Sequence, residues 1–168
     1  MLEIGVGSGL NLPFYGASVS ELLALEPAPK LIAMAKRLTR ASAMPVRFIE
    51  ASAEAIPIDD DSVDTVITTW TMCSIPEAVT ALAQIRRVLR RNGRLIFVEH
   101  GLAPDKGVRW WQDLLTPAWR RISGGCHLNR PIPSMIEQGG FHLDRLETGY
   151  MRGPKPMSFM YEGSARPG

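Results

Sequence analysis

Cysteine is scarce in this chain: Cys73 and Cys126 are its two thiols among 168 residues. Two cysteines cannot build a disulfide framework, and these two lack metal-site spacing. A reducing, cytoplasmic setting and no bound metal are therefore expected. An excess of charge of one sign is missing too. Nineteen Lys and Arg stand against seventeen Asp and Glu, a formal net charge of +2. That argues against a nucleic-acid partner, whose site needs clustered basic residues. Long apolar runs are absent, and none approaches the ~20 residues that cross a bilayer. The start does not read as a secretory leader, because Glu3 interrupts the apolar stretch and Gly5 to Gly9 break it. No repeat, low-complexity tract or linker divides the chain, so residues 1–168 are expected to form one domain with a sizeable core.

What the sequence does have is alternation. Met1–Ile4, Glu21–Glu26, Val46–Glu50, Val63–Trp70 and Arg94–Glu99 are short apolar or β-branched runs that read as strands. A short helix is expected near Leu10–Tyr15. Lys30–Arg40 places Leu31, Met34, Ala35 and Leu38 at helical spacing, and Ala78–Arg90 does the same with Val79, Leu82, Ile85 and Leu89. Asn92-Gly93 reads as the end of that helix and the turn into the fifth strand. Such alternation predicts an α/β fold, a doubly wound, mostly parallel sheet with right-handed crossovers. The last third breaks the rhythm. Val108–Ile122 reads as one or two helices interrupted at Pro117, and Ile132–Gln138 as a helix closed by Gly139-Gly140. Phe141–Thr148 and Met157–Glu162 then read as an antiparallel hairpin around a Gly-Pro turn, bringing the sheet to seven strands.

Sheets of this kind bind ligands beyond the carboxyl ends of their strands. The first strand runs into Glu3-Ile4-Gly5-Val6-Gly7-Ser8-Gly9, whose glycines let backbone approach a ligand and take positive φ. The third glycine falls too early for the dinucleotide fingerprint, where Leu10 stands instead. Glu26 ends the second strand about 20 residues after the glycines, where a carboxylate accepts both hydroxyls of a ribose.

An acid two residues ahead of Gly-x-Gly-x-Gly resembles motif I of the class I S-adenosylmethionine-dependent methyltransferases. Ala51-Ser52-Ala53-Glu54-Ala55-Ile56-Pro57, Asp61–Val66 and Leu89–Leu95 extend the resemblance to the family that includes the ubiquinone and menaquinone C-methyltransferases. Glu99-His100-Gly101, Arg109–Asp113, Gly124–Arg130 and Gly153–Pro156 resemble the branch that includes thiol methyltransferases. The resemblance implies a Rossmann-like methyltransferase fold and S-adenosylmethionine as cofactor. It also implies methyl transfer to a small lipophilic acceptor, with a thiol the favoured candidate. The cofactor site it implies comprises Glu3, Gly5, Gly7, Gly9, Asn11, Glu26, Pro27, Ser52, Ala53, Glu54, Thr69, Trp70 and Thr71. Ser52 stands where the family often has an acid, and a neutral acceptor holds the adenine amine more weakly.

On the acceptor side, residues around 104–130 are expected to form a cap. Trp111 is expected to line an apolar pocket and Arg130 to hold a polar end of the substrate. A thiol acceptor needs deprotonating, and His100 and His127 are the candidate bases because histidine titrates near neutrality. Cys126 reads as a small buried residue, since this transfer needs no covalent enzyme intermediate. The Arg109-Trp110-Trp111…Trp119-Arg120-Arg121 segment also fits a membrane surface, but carries too few basic residues for a stable anchor.

Related methyltransferases carry some tens of residues before the first strand, whereas Met1 already lies in it. A chain truncated there is expected to hold cofactor more weakly and to expose apolar surface that favours a homo-oligomer. Two other readings stay open, a nicotinamide or flavin oxidoreductase and a non-catalytic cofactor-binding domain.

Overall fold

The computed structural model describes residues 1–39 and 44–168. Its strands are β1 (Leu2–Ile4), β2 (Leu22–Leu25), β3 (Val46–Ile49), β4 (Val63–Thr69), β5 (Leu89–His100), β6 (Phe141–Tyr150) and β7 (Phe159–Pro167). They form one seven-stranded sheet in the order β3-β2-β1-β4-β5-β7-β6. β1 to β5 run parallel, while β7 pairs antiparallel with both β5 and β6. This is the doubly wound, mostly parallel sheet that the alternation predicts. The order reverses between β1 and β4, and the crevice there is where such sheets take ligands.

Both faces of the sheet are covered, and the strand period shows how. Leu23 and Leu25 of β2 join Leu2 and Ile4 of β1 in the main core, with Leu82 and Ile85 of α2 (Ala78–Val88). Leu22 and Ala24 project the other way, against Val6, Leu12 and Ala35 of α1 (Pro29–Leu38). Consecutive residues of β2 are therefore all buried, as expected of an inner parallel strand. Glu3, between Leu2 and Ile4, is almost completely buried as well. The remaining helices are α3 (Lys106–Ile122), α4 (Ile132–Gln138) and α5 (Lys155–Ser158). No described helix is long and apolar enough to cross a membrane.

Several boundaries differ from the sequence expectation. The helix expected near Leu10–Tyr15 is a single 3-10 turn at Leu12–Phe14. The helix expected over Lys30–Arg40 ends at Leu38, and Arg40 lies outside the described residues. The next helix stops at Val88 rather than at Asn92-Gly93, because Leu89 turns extended and pairs with Val63. Asp61 and Ser62 donate their N–H groups to the carbonyls of Arg87 and Val88, so the segment before β4 caps that helix end. Gly93 lies inside β5, where a Cβ would sit within about 3 Å of Leu89, the Arg90 carbonyl and the Asp64 carbonyl.

Pro117 does not interrupt α3. Its fixed φ is compatible with the helix, and the helix runs unbroken to Ile122. The terminal hairpin is longer than expected, and its connection contains α5.

Candidate active site

A cleft of about 380 Å³ lies beyond the carboxyl ends of the parallel strands. β1 delivers Gly5 and Gly7 to it, β2 delivers Glu26 and Pro27, and the segment after β3 delivers Ser52 and Ala53. Thr69, Trp70 and Thr71 close it from β4. Glu26 is buried and held in place. Its Oε2 accepts the Gly7 N–H and its Oε1 the Ala28 N–H, each at 3.0 Å. Each oxygen keeps a further lone pair, so the carboxylate is preset to accept from a vicinal diol.

The glycines serve this geometry for different reasons. Gly7 has φ +54, and the nearest atom to an added Cβ is the Gly5 carbonyl oxygen at 3.9 Å, so open space lies above it. A Cβ on Gly5 would lie 2.5 Å from the Thr71 side chain, and one on Gly9 would press on Leu12 and Ala35. Those two glycines let the loop pack, whereas Gly7 keeps the ligand side clear.

Other expected cofactor residues stand behind the cleft. Glu3 lies beneath the loop, and its Oε1 accepts the Asn11 side-chain N–H at 2.8 Å. Burial raises its pKa, opposed by the hydrogen bond from Asn11 and by the nearby Tyr15 hydroxyl. Asn11 lines a neighbouring recess with Gly5, Gly7 and Trp70 rather than the main cleft. Glu54 turns away from the cleft: one oxygen accepts the Ser52 hydroxyl and the other accepts the Glu77 N–H at 2.9 Å. Those bonds hold its pKa down, the Ser52 hydrogen bond first and the Glu77 amide second. Glu54 thus joins two loops, and Ser52 and Ala53 are the residues of that run that face the ligand space.

Trp70, the residue just after β4, has φ +54, a conformation few bulky residues adopt. Its ring packs against His100 with centroids 5.3 Å apart. The next residue is held from below, where the Thr71 N–H donates to both oxygens of buried Glu99 at 3.1 and 2.9 Å. Burial pushes the Glu99 carboxyl up to about 7.

A second cavity, about 230 Å³, shares Trp70 and Ser74 with the cleft as walls. Its other side is built from Trp119, Leu128 and Met157, with Cys73, His100 and Cys126 at its floor. The tight turn after α3 makes this possible. Gly124 and Gly125 both take positive φ, and the chain folds back so that the His127 N–H donates to the Cys73 carbonyl (2.9 Å). His100 Nε2 lies 3.0 Å from Cys126 Sγ, and His100 Nδ1 has no protein partner among the described residues. The Cys73 thiol and His100 hold Cys126 well below the usual thiol range, with Cys73 the larger influence. Cys73 is pushed up, first by that same contact and then by burial.

Three expected acceptor-side residues sit elsewhere. Trp111 is half exposed and packs on Trp110, and it lines neither cavity. Two helical turns further along α3, Trp119 is the residue that reaches the cavity. Arg130 is engaged by backbone, donating to the Met72 carbonyl at 2.5 Å and the Pro76 carbonyl at 3.2 Å. It holds the loop after β4 in place and lines neither cavity. His127 places Nδ1 3.1 Å from the Cys73 carbonyl and lines neither cavity. Its pKa is lowered, chiefly by burial.

The profile of the methyltransferase domain family matches residues 2–97, more than half of the chain. The chain belongs to that family. The relatives of this methyltransferase domain include thiol S-methyltransferase TMT1B from Rattus norvegicus, 34% identical over 154 residues and covering 88% of this chain. The TMT1B of Homo sapiens is 32% identical over 170 residues and covers 97% of this chain. The chain spans 62–66% of the length of these two relatives. Among solved structures, a SAM-dependent methyltransferase from Methanosarcina mazei superposes with a TM-score of 0.80 at 15% identity, over 99% of this chain and 91% of that one. That likeness concerns the fold.

Family membership brings S-adenosylmethionine as cofactor, and the cleft has the features such a ligand needs. It offers a preset carboxylate for the ribose diol, open space above Gly7, and a neutral wall at Ser52 and Ala53. Sequence reasoning missed Leu31, Ser74, Pro76 and Gly124 as walls of the cleft. Gly124 lies far along the chain and reaches the cleft only through the fold, so no local pattern points to it.

Proposed function

We propose that this methyltransferase domain transfers the methyl group of S-adenosylmethionine to a small lipophilic acceptor, preferably a thiol. One observation carries the reading: the glycine-lined cleft adjoins a second, largely apolar cavity across the shared walls Trp70 and Ser74. Two ligands bound in such neighbouring spaces meet at Trp70. The relatives named thiol S-methyltransferases support the thiol as acceptor.

The cofactor supplies a methyl group on a sulfonium, which is electrophilic without further activation. The protein therefore has to bind, align and keep water out, and alignment of this kind can lower a barrier by roughly 7–11 kcal/mol in favourable cases. In our reading Glu26 anchors the ribose, Gly7 lets the amino-acid part lie against backbone, and Ser52 with Ala53 borders the adenine. Trp119, Leu128 and Met157 make the acceptor side apolar, which favours a lipophilic substrate. The free thiols of Cys73 and Cys126 fit a reducing, cytoplasmic setting.

The test is a labelled-methyl transfer assay against a panel of thiols, quinols and phenols, run beside calorimetry with S-adenosylhomocysteine. Transfer to thiols above the other classes is expected. Tight cofactor binding with no transfer to any acceptor would replace this reading with that of a non-catalytic binding domain. Binding of NAD in place of S-adenosylhomocysteine would return the oxidoreductase reading.

A further inference from the structure

The cofactor cleft leaves one cluster of side chains without a use. Cys73 follows β4, His100 ends β5 and Cys126 follows α3, yet their ligand atoms all lie within 4.8 Å of one another. All three residues are buried. Two thiol sulfurs and one imidazole nitrogen form the donor set that zinc prefers. Zinc bonds sulfur at about 2.3 Å and nitrogen at about 2.0–2.1 Å, so donors of a tetrahedral site stand roughly 3.3–3.8 Å apart. The trio is about an ångström wider than that at most, a difference that side-chain torsions of cysteine and histidine can close.

A structural zinc site carries four protein ligands, whereas a catalytic one carries three and leaves a position open. Here three donors share the floor of the largely apolar cavity, whose remaining walls are Trp70, Ser74, Trp119, Ser123, Leu128 and Met157. The open position therefore faces the space assigned above to the acceptor. The two histidines also leave a need unmet. His100 Nε2 is occupied by Cys126, its Nδ1 is buried without a partner among the described residues, and His127 lines neither cavity, so neither histidine presents an open ring nitrogen to the acceptor space.

We propose that Cys73, His100 and Cys126 hold a zinc ion whose fourth position takes the sulfur of the acceptor thiol. This rests on the reading of the acceptor as a thiol. On binding, the S–H bond breaks, the proton passes to solvent and sulfur keeps the electron pair, because a coordinating thiol is deprotonated. Two thiolates neutralise the ion, and the third leaves the site with one negative charge, so the acceptor sulfur stays nucleophilic. It then forms the new S–C bond as the sulfonium S–C bond breaks, with that electron pair leaving on the departing thioether. The neutral product sulfur is a poor ligand and is released. No oxidant or reductant is involved.

The experiment uses the whole chain, reduced, stripped with a chelator and titrated with cobalt(II) as a spectroscopic stand-in for zinc. One equivalent is expected to bind, with a sulfur-to-cobalt charge-transfer band and the visible bands of a tetrahedral site. Zinc should displace it, and a small aryl thiol should shift the visible bands. C73S, C126S and H100A should each weaken cobalt binding by more than the roughly 10–100-fold that loss of an outer-shell partner costs. Thermal melts check that each variant folds, and the wild-type stoichiometry and spectrum need no variant at all. No uptake by the reduced chain, a spectrum without the charge-transfer band, or a Cys73–Cys126 disulfide in place of metal would each overturn the proposal. So would thiol methylation at full rate by chain verified free of metal, which would leave the acceptor reading intact. A formed site whose bands respond to thiol, with no methyl transfer, would instead remove the acceptor reading and leave the metal site.

Discussion

Gly7 and Glu26 illustrate how a single residue can matter to the ligand more than to the fold. The Gly7 N–H meets Glu26 at 3.0 Å, and Gly7 has φ +54 with open space above it. Gly7→Ala strains the backbone by about 1–2 kcal/mol and puts a methyl group into the ligand space. Its affinity for S-adenosylhomocysteine is expected to fall by more than that strain alone predicts, as calorimetry beside urea denaturation would show. Equal losses of affinity and stability would reduce Gly7 to a turn residue. For Glu26→Gln the loss of charge-assisted hydrogen bonds, worth about 1.5–3 kcal/mol, predicts cofactor affinity lower by roughly 10–100-fold. Unchanged affinity would exclude a ribose contact at Glu26. Trp70 shows the same division of labour, since it holds a left-handed conformation at the wall between the two cavities. Strain of that kind tends to persist where the surroundings enforce it, commonly at functional sites.

Among the elements, α3 decides whether the acceptor cavity exists. The helix is joined to the sheet by Gln112, which is fully buried. Gln112 accepts the Ala103 N–H at 2.9 Å and donates to the Gly101 carbonyl at 2.9 Å and the Pro156 carbonyl at 3.1 Å. All of its polar capacity near the sheet is spent on backbone after β5 and before β7. Gln112→Leu keeps the volume and leaves these groups unpaired, so a loss of about 2–4 kcal/mol in urea denaturation is expected. Faster hydrogen exchange at Ala103 should accompany it. A loss below half a kcal/mol would mean that the apolar contacts of Leu115 and Trp119 dock the helix unaided. Trp111, expected to line the acceptor pocket, lies with Trp110 and Leu114 on the exposed outer face of α3. Spacing alone does not say which stripe of a helix meets the sheet. Packing against Cys73, Cys126 and Met157 selects the Leu115 and Trp119 side.

Stability of the whole molecule should carry the signature of its buried carboxyls. Burial raises the Glu3 pKa above the ordinary 4.5, so the unfolded chain releases this proton first as pH rises. Between 4.5 and the raised value the folded state binds more protons, and stability falls with increasing pH. Glu99, lifted to about 7 by burial, adds a slope of the same sign. Glu3→Gln removes only the first contribution. The stability of the variant relative to the parent should therefore grow as pH rises from 4.5 towards neutrality, as urea denaturation at a series of pH values would show. A difference that does not change with pH would mean that Asn11 and Tyr15 compensate the charge.

Local sequence was sufficient for the features that depend on near neighbours. The glycine loop, the acid that ends β2, and the alternation of Leu22 to Leu25 between two faces all follow from spacing within one strand or turn. The same holds for α4, whose bounds Ile132–Gln138 were legible from its apolar residues and the glycines that follow. Tertiary structure decided what distant segments do to one another. It turned Arg130 onto the carbonyls of Met72 and Pro76, and Glu54 onto the loop at Glu77. It also gathered Cys73, His100 and Cys126 from three segments. The strand order puts β4 beside β5, and α3 folds back over their carboxyl ends through Gly124 and Gly125. A sequence encodes its periodicities within a few residues, whereas the meeting of these side chains depends on the order in which strands pair across the whole sheet.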